Sequence, residues 1–98
     1  MNRVELAVRL LEIPPMRHTP AGLPVLRLPL AHESQVIEAG LERRVSMEFK
    51  AVALGDVALE LAGKPVGSQV RMVGFLAPQR QGSDRLVLHI QQLVQATE

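Results

Sequence analysis

Cysteine is absent from this chain of 98 residues, and aromatic residues are nearly absent. A chain without cysteine forms neither a disulfide scaffold nor a thiolate metal site, and such a composition suits a reducing compartment. Tryptophan and tyrosine are missing, and Phe49 and Phe75 are the only phenylalanines. Aliphatic residues and methionine must therefore fill the core, and few rings are available to stack on nucleobases.

Long apolar runs and a large net charge are missing as well. No apolar run approaches the 18 or so residues of a membrane-spanning helix, and the first ten residues, MNRVELAVRL, carry charges that argue against a signal peptide. We therefore expect a cytoplasmic protein with no membrane partner. The net charge is only +1, from 11 basic and 10 acidic residues, so any binding of nucleic acid must come from local clusters of basic side chains.

Groups of residues that could carry catalysis or bind a metal ion are also lacking. His32 and His89 have no second histidine or glutamate at ligand spacing, so we interpret them as structural histidines. The serines are scattered without a nucleophile motif, and no glycine-rich loop matches a phosphate-binding loop. We therefore predict a protein that is not an enzyme and has no cofactor and no metal.

Alternation of apolar and polar residues is the strongest positive signal, and it predicts five strands. The third strand, residues 41–53, is the clearest: its odd-numbered residues are apolar except for Arg43, and its even-numbered residues from Glu42 to Lys50 are polar or charged. We expect the odd face, which includes Phe49, to point into the core. The other four strands are predicted at residues 3–10, 26–30, 70–76 and 86–93.

Breaks in this pattern predict the connections. The alternation slips at Leu10–Leu11, which indicates a bulge or bend, and Gly74 within the fourth strand indicates a bend or a close approach of two backbones. Pro20–Gly22 has the chemistry of a type II turn, and the polar stretch 32–40 is predicted to be a connecting loop. Asp56 is the predicted N-cap of a short helix over residues 57–62, with Gly63 just beyond its end.

Three strands, a short helix and two strands follow one another in the order of an OB-fold. We predict one all-β domain over residues 1–98, a five-stranded OB-fold Greek-key barrel with the helix between strands 3 and 4. An open five-stranded meander fits the same periodicity.

Six segments, at this spacing, resemble one known family over nearly the whole chain. They are NRVEL, TPAGLP, LPLAHES, EAGLERR, GSQVRMVGFL and LVLHIQQL. The chain resembles primosomal replication protein N, the PriB-type family of bacterial replication-restart proteins, whose fold is like that of single-stranded-DNA-binding proteins. The resemblance implies a homodimeric OB-fold that binds single-stranded DNA and acts with the restart helicase and other primosome proteins at stalled forks.

The same resemblance implies a DNA-binding face made by the first loop, the even face of the third strand and the last loop. Ser46 stands where the family has a tryptophan, and Glu33 stands at a basic position. Glu33, Glu48 and Asp84 dilute the positive charge of this face. The residues that we predict to contact DNA are Arg17, His18, Arg44, Ser46, Lys50, Arg80 and Arg85.

Two functions fit these residues. The first is a DNA-binding module that neutralises phosphates, with slight sequence preference because so few aromatic residues are present. The second is mainly a protein-interaction subunit that docks on the helicase and retains weak DNA binding, which the small net charge favours. The basic residues also fit an ordinary solvated surface.

Overall fold

The computed structural model describes residues 1–94, which form a barrel of five strands with one short helix. A further strand of two residues lies outside the barrel. No helix within residues 1–94 is long and apolar enough to cross a bilayer. The elements are β1 (Val4–Leu10), β2 (Arg17–His18), β3 (Pro24–Glu38), β4 (Leu41–Leu54), α1 (Asp56–Ala62), β5 (Gln69–Pro78) and β6 (Leu86–Val94).

The five barrel strands close on themselves. Their order is β1-β5-β6-β4-β3, and β3 returns to β1 through the pairs Arg9–Ala31 and Leu10–Leu30. All pairings are antiparallel except that of β4 with β6. The predicted OB-fold barrel is confirmed, and this closure excludes the open meander.

The core fills the inside of the barrel, and aliphatic residues build it as predicted. Leu26, Leu28 and Leu30 of β3 alternate with outward-facing residues, so one face of the strand is fully buried. Leu61 of α1 is fully buried against the same cluster. Neither phenylalanine is fully buried. The largest fully buried side chains are Leu10, Leu26, Leu28, Leu30, Leu61, Met72 and Leu88.

Both predicted irregularities help to close the barrel. β1 pairs with β5 as far as Arg9 and then turns to β3, and the Leu11 N–H donates a hydrogen bond to the Pro29 carbonyl at 3.3 Å. In β5 the register with β6 shifts between Val73 and Gly74. A Cβ atom at Gly74 would lie 1.9 Å from the carbonyl oxygen of His89, so only glycine fits this close approach.

The predicted connecting loop over residues 32–40 is wrong. β3 continues to Glu38, and Ala39–Gly40, with φ angles of 53° and 78°, makes a two-residue turn into β4. Two central residues with positive φ are typical of the tight turns that join antiparallel strands. The stretch is polar because this hairpin extends beyond the barrel, where water solvates both faces. We call its outer part, residues 33–46, the arm.

The expectation that the whole odd face of β4 points into the core is also wrong. Ala51 and Ala53 are buried, but Leu41 is 72% exposed and Met47 is 39% exposed. The alternation continues along the strand, yet the strand is longer than the barrel that buries it. Only its second half therefore contributes to the core.

Two local predictions also need correction. The Gly22 N–H donates to the Thr19 carbonyl at 2.8 Å, so Pro20 and Ala21 are the central residues of the turn. A type II turn needs a positive φ at Ala21, but the positive φ of 91° lies at Gly22. The helix begins at Asp56 rather than after it, with Gly55 as its N-cap.

Candidate nucleic-acid interface

A groove of about 790 Å³ crosses the outer face of β3 and β4. Arg27 stands between two buried leucines of β3, so its side chain points outward into the groove. Lys50 precedes the buried Ala51 on β4 and pairs with Pro29 across the sheet. Arg85, the last residue before β6, borders the groove from the β5–β6 loop.

Two smaller concavities adjoin this groove at its ends. One, of about 250 Å³, shares Pro14 and Arg27 with the groove and reaches Arg17 on β2. The other, of about 300 Å³, shares Gln79 and Arg85 with it and extends over the β5–β6 loop. Together the three concavities form one path, which we call the basic track, along Arg17, Arg27, Lys50, Arg85 and Arg80.

The basic track carries a positive charge that the whole chain does not. Its five cations face two carboxylates, Glu12 and Glu48, which gives a local net charge of +3 against +1 for the chain. Within residues 1–94, none of the five cations lies within 4.0 Å of a carboxylate oxygen. A row of uncompensated cations in a groove attracts a polyanion.

The other predicted site residues lie apart from the basic track. Arg44 and Ser46 are on the outer face of the arm, where the Nη2 atom of Arg44 lies 3.2 Å from the Oε2 atom of Glu33. His18 follows Arg17 on β2, and neighbouring strand residues point to opposite faces. Arg17 lines a concavity of the track, and His18 lines none of the three.

Sequence reasoning missed Arg27. It lies between Leu26 and Leu28, so the same alternation that buries the leucines turns Arg27 to the outer face. The signal was present, but the register that brings Arg27 close to Lys50 on the neighbouring strand is a property of the sheet. Arg27 is the residue that connects Arg17 to the central groove.

The two histidines that we interpreted as structural, His32 and His89, each contact other residues of the barrel. His32 is buried; its Nδ1 atom donates to the Ala7 carbonyl at 2.7 Å, and its Nε2 atom lies 2.9 Å from the Ser34 hydroxyl. His89 stacks on Phe75 with ring centroids 4.8 Å apart. Residues 1–94 contain no cluster of three or more histidine, aspartate or glutamate side chains that could hold a metal ion.

Comparison with known proteins identifies the family. A family model described as "another single-strand binding protein family" matches residues 2–92. The replication restart protein PriB of Bordetella pertussis is 56% identical over 92 residues, which cover 94% of this chain and 86% of that protein. The chain belongs to the PriB family of single-strand-binding proteins. PriB of Nitrosomonas europaea is 36% identical over 89 residues, covering 91% of this chain and 82% of that protein.

Solved structures agree with this PriB assignment. PriB from Ralstonia solanacearum superposes with a TM-score of 0.86 at 35% identity, covering 96% of each chain. The single-stranded DNA binding protein from Thermus aquaticus has a TM-score of 0.73 at 26% identity, covering 97% of this chain and 50% of that one. The resemblance found in the six sequence segments is confirmed.

Proposed function

We propose that this chain binds single-stranded DNA along the basic track as a non-catalytic protein of replication restart. The observation that carries the proposal is the row of five cations, none with a carboxylate partner among residues 1–94, placed across the β3–β4 face and its two flanking loops. Strands and loops at these positions bind oligonucleotides in OB-folds. The PriB names of its relatives support a role in replication restart.

In this proposal the side chains of the track contact phosphates and carry most of the affinity. Arg17, Lys50, Arg80 and Arg85 keep their predicted role, and Arg27 joins them. Arg44 and Ser46 contact the DNA only if the DNA strand extends from the basic track onto the arm. His18 lies beside Arg17 at one end of the track. Phosphate contacts carry no sequence information, so we expect binding with slight sequence preference and strong salt dependence.

The test is a fluorescence-anisotropy titration of a labelled oligonucleotide over a series of salt concentrations. Each neutralised phosphate on a single strand contributes about 0.7 to the slope of log affinity against log salt. We expect Arg85→Ala to flatten the slope by about that amount. Arg3→Ala is the matched control, because Arg3 pairs with Glu5 and does not line the track.

Absence of binding at low salt would overturn the proposed function. An unchanged slope in Arg85→Ala, with the fold intact by circular dichroism, would remove Arg85 from the site.

We further propose that the chain stimulates the restart helicase, with the tip of the arm as the docking surface. Ile37 is 68% exposed and Leu41 is 72% exposed. Ile37 pairs with Glu42 and Leu41 pairs with Glu38, so each face of the tip offers one apolar side chain for contact with another protein. We expect Ile37→Ser with Leu41→Ser to abolish stimulation of unwinding while DNA affinity is retained. If Arg85→Ala instead keeps full stimulation although its DNA binding is weaker, the mainly helicase-docking function is the better description.

We also propose that the functional unit is a homodimer. The support is the edge of β1: Val4–Val8 pairs with β5 on one side, whereas β3 reaches β1 only at Arg9 and Leu10. The other edge of residues 4–8 therefore has no strand partner within residues 1–94. A second copy can pair with this edge about a two-fold axis.

A further inference from the structure

The chain has a stacked pair of rings on the outside of the barrel. Phe75 and His89 are directly opposite each other on β5 and β6, with centroids 4.8 Å apart and planes inclined by 10°. Their neighbours Gly74 and Ile90 form the adjacent inward-facing pair, so the rings stand on the outer face. Both side chains are partly exposed. Two rings held in this way present a flat, rigid aromatic surface.

A concavity of about 320 Å³ borders these rings. Its apolar lining includes Val52 and Leu54 of β4 and Val57 of α1, and Gln91 contributes an amide. A nucleobase can stack on an aromatic ring, pack against the apolar side chains of the hollow and form a hydrogen bond with the Gln91 amide. The hollow suits a phosphate poorly, because none of the described residues that line it, all within 1–94, is Lys, Arg, Asp or Glu.

The ring pair lies next to the basic track along two parallel strands. Val52 and His89 are partners in the β4–β6 ladder, so they share the outer face. Lys50 and Val87, which line the central groove, precede them by two residues on their own strands. Two residues of strand span about 7 Å. A DNA strand in the groove therefore passes within reach of the rings.

We propose that Phe75 and His89 form a base-stacking subsite, in which one nucleobase of single-stranded DNA enters the hollow and continues the stack of the two rings. The inference rests on the proposed function, since the track must hold the backbone. The composition predicted that few rings are available to stack on nucleobases. The subsite changes that expectation, because a phenylalanine and a histidine together provide an aromatic platform.

The test compares Phe75→Leu with Phe75→Tyr, using an oligonucleotide that carries 2-aminopurine, whose fluorescence falls on stacking. Phe75→Leu keeps an apolar side chain without the ring, and we expect it to weaken binding about fivefold to tenfold. The factor should be the same at low and high salt, because stacking releases few counterions. We expect Phe75→Tyr to bind as the unaltered protein does and to retain the fluorescence quenching.

The outcomes separate the two proposals. If Arg85→Ala changes the salt slope but Phe75→Leu binds normally, the stacking subsite is wrong and the track stands. If the unaltered protein binds no DNA, both are wrong. Should Phe75→Leu fail to fold, photocrosslinking of 5-iododeoxyuridine DNA to the unaltered protein decides: crosslinks at Phe75 or His89 support the subsite, and crosslinks only elsewhere overturn it.

Discussion

At the scale of single residues, Gly74 shows how closely the barrel strands approach each other. Its missing side chain lets the backbone of β5 pass the backbone of β6 where the register shifts. The clash that a methyl group would create involves the carbonyl group of His89, and backbone atoms cannot rotate away as a flexible side chain can. The strain would therefore spread into the ladder that also carries Phe75.

We expect Gly74→Ala to lower the free energy of unfolding by about 1–3 kcal/mol or more, as overpacking does elsewhere. The melting temperature should fall by at least about 4 °C in a calorimetric scan. Gly63→Ala is the control: its added Cβ would lie 3.7 Å from the nearest atom, the Glu60 carbonyl oxygen, and its φ is −86°. A melting temperature for Gly74→Ala equal to that of Gly63→Ala would contradict the close approach.

At the scale of elements, the arm differs from the rest of the β3–β4 hairpin in its charge balance. The basic residues of the barrel part have no carboxylate partners within residues 1–94, but on the arm Arg44 pairs with Glu33 and Arg43 pairs with Glu38 at 2.6 Å. These pairs are exposed, so they add little stability. Their main effect is to offset the positive charge of Arg43 and Arg44 on the surface of the arm.

We expect Glu33→Gln to tighten DNA binding at low salt and to steepen the salt slope by about 0.7, because Arg44 becomes free to contact a phosphate. The measurement is the same anisotropy series. Glu5→Gln is the matched control, since it breaks the exposed Arg3–Glu5 pair away from the track. Equal slopes for Glu33→Gln and the unaltered protein would mean that the bound DNA does not reach the arm.

At the scale of the whole molecule, charged side chains and unpaired strand edges are unevenly distributed. The basic track holds a charge of +3 although the chain holds +1, so the remaining surface is acidic on balance. That distribution favours one orientation of a polyanion on the protein. The edge of β1 that has no strand partner within residues 1–94 likewise favours one orientation of a second copy, because only that strand is available for pairing.

We expect sedimentation equilibrium at micromolar concentration to give twice the 10.8 kDa mass of one chain. Ala7→Lys should shift the protein towards monomer, because Ala7 is exposed on β1 and a lysine there disfavours pairing of two edges. Ala62→Lys, at the exposed end of α1, should leave the mass unchanged. A monomer for the unaltered protein at all concentrations would contradict the homodimer.

Much of the fold could be read from the sequence because alternation is a local property. It placed β1, β4, β5, β6, the short helix and the break at Gly74 within a few residues of their positions, but it ended β3 at residue 30 although the strand continues to Glu38. It also indicated which face of each barrel strand is buried. The six family segments added the family, which the comparisons confirm.

The tertiary structure decided which strands lie side by side and how far each extends beyond the core. Arg17, Lys50 and Arg85 are far apart in the chain, and only the folded barrel brings them together with Arg27 along the basic track. Residues 33–40 of the arm were predicted to be a loop, because apolar and polar residues do not alternate there, where water solvates both faces. The pairing of Phe75 with His89 likewise depends on the register of β5 and β6. Periodicity specifies which face of a strand is buried, but long-range pairing specifies which strands are adjacent. The candidate site depends on that pairing because its side chains come from several adjacent strands and loops.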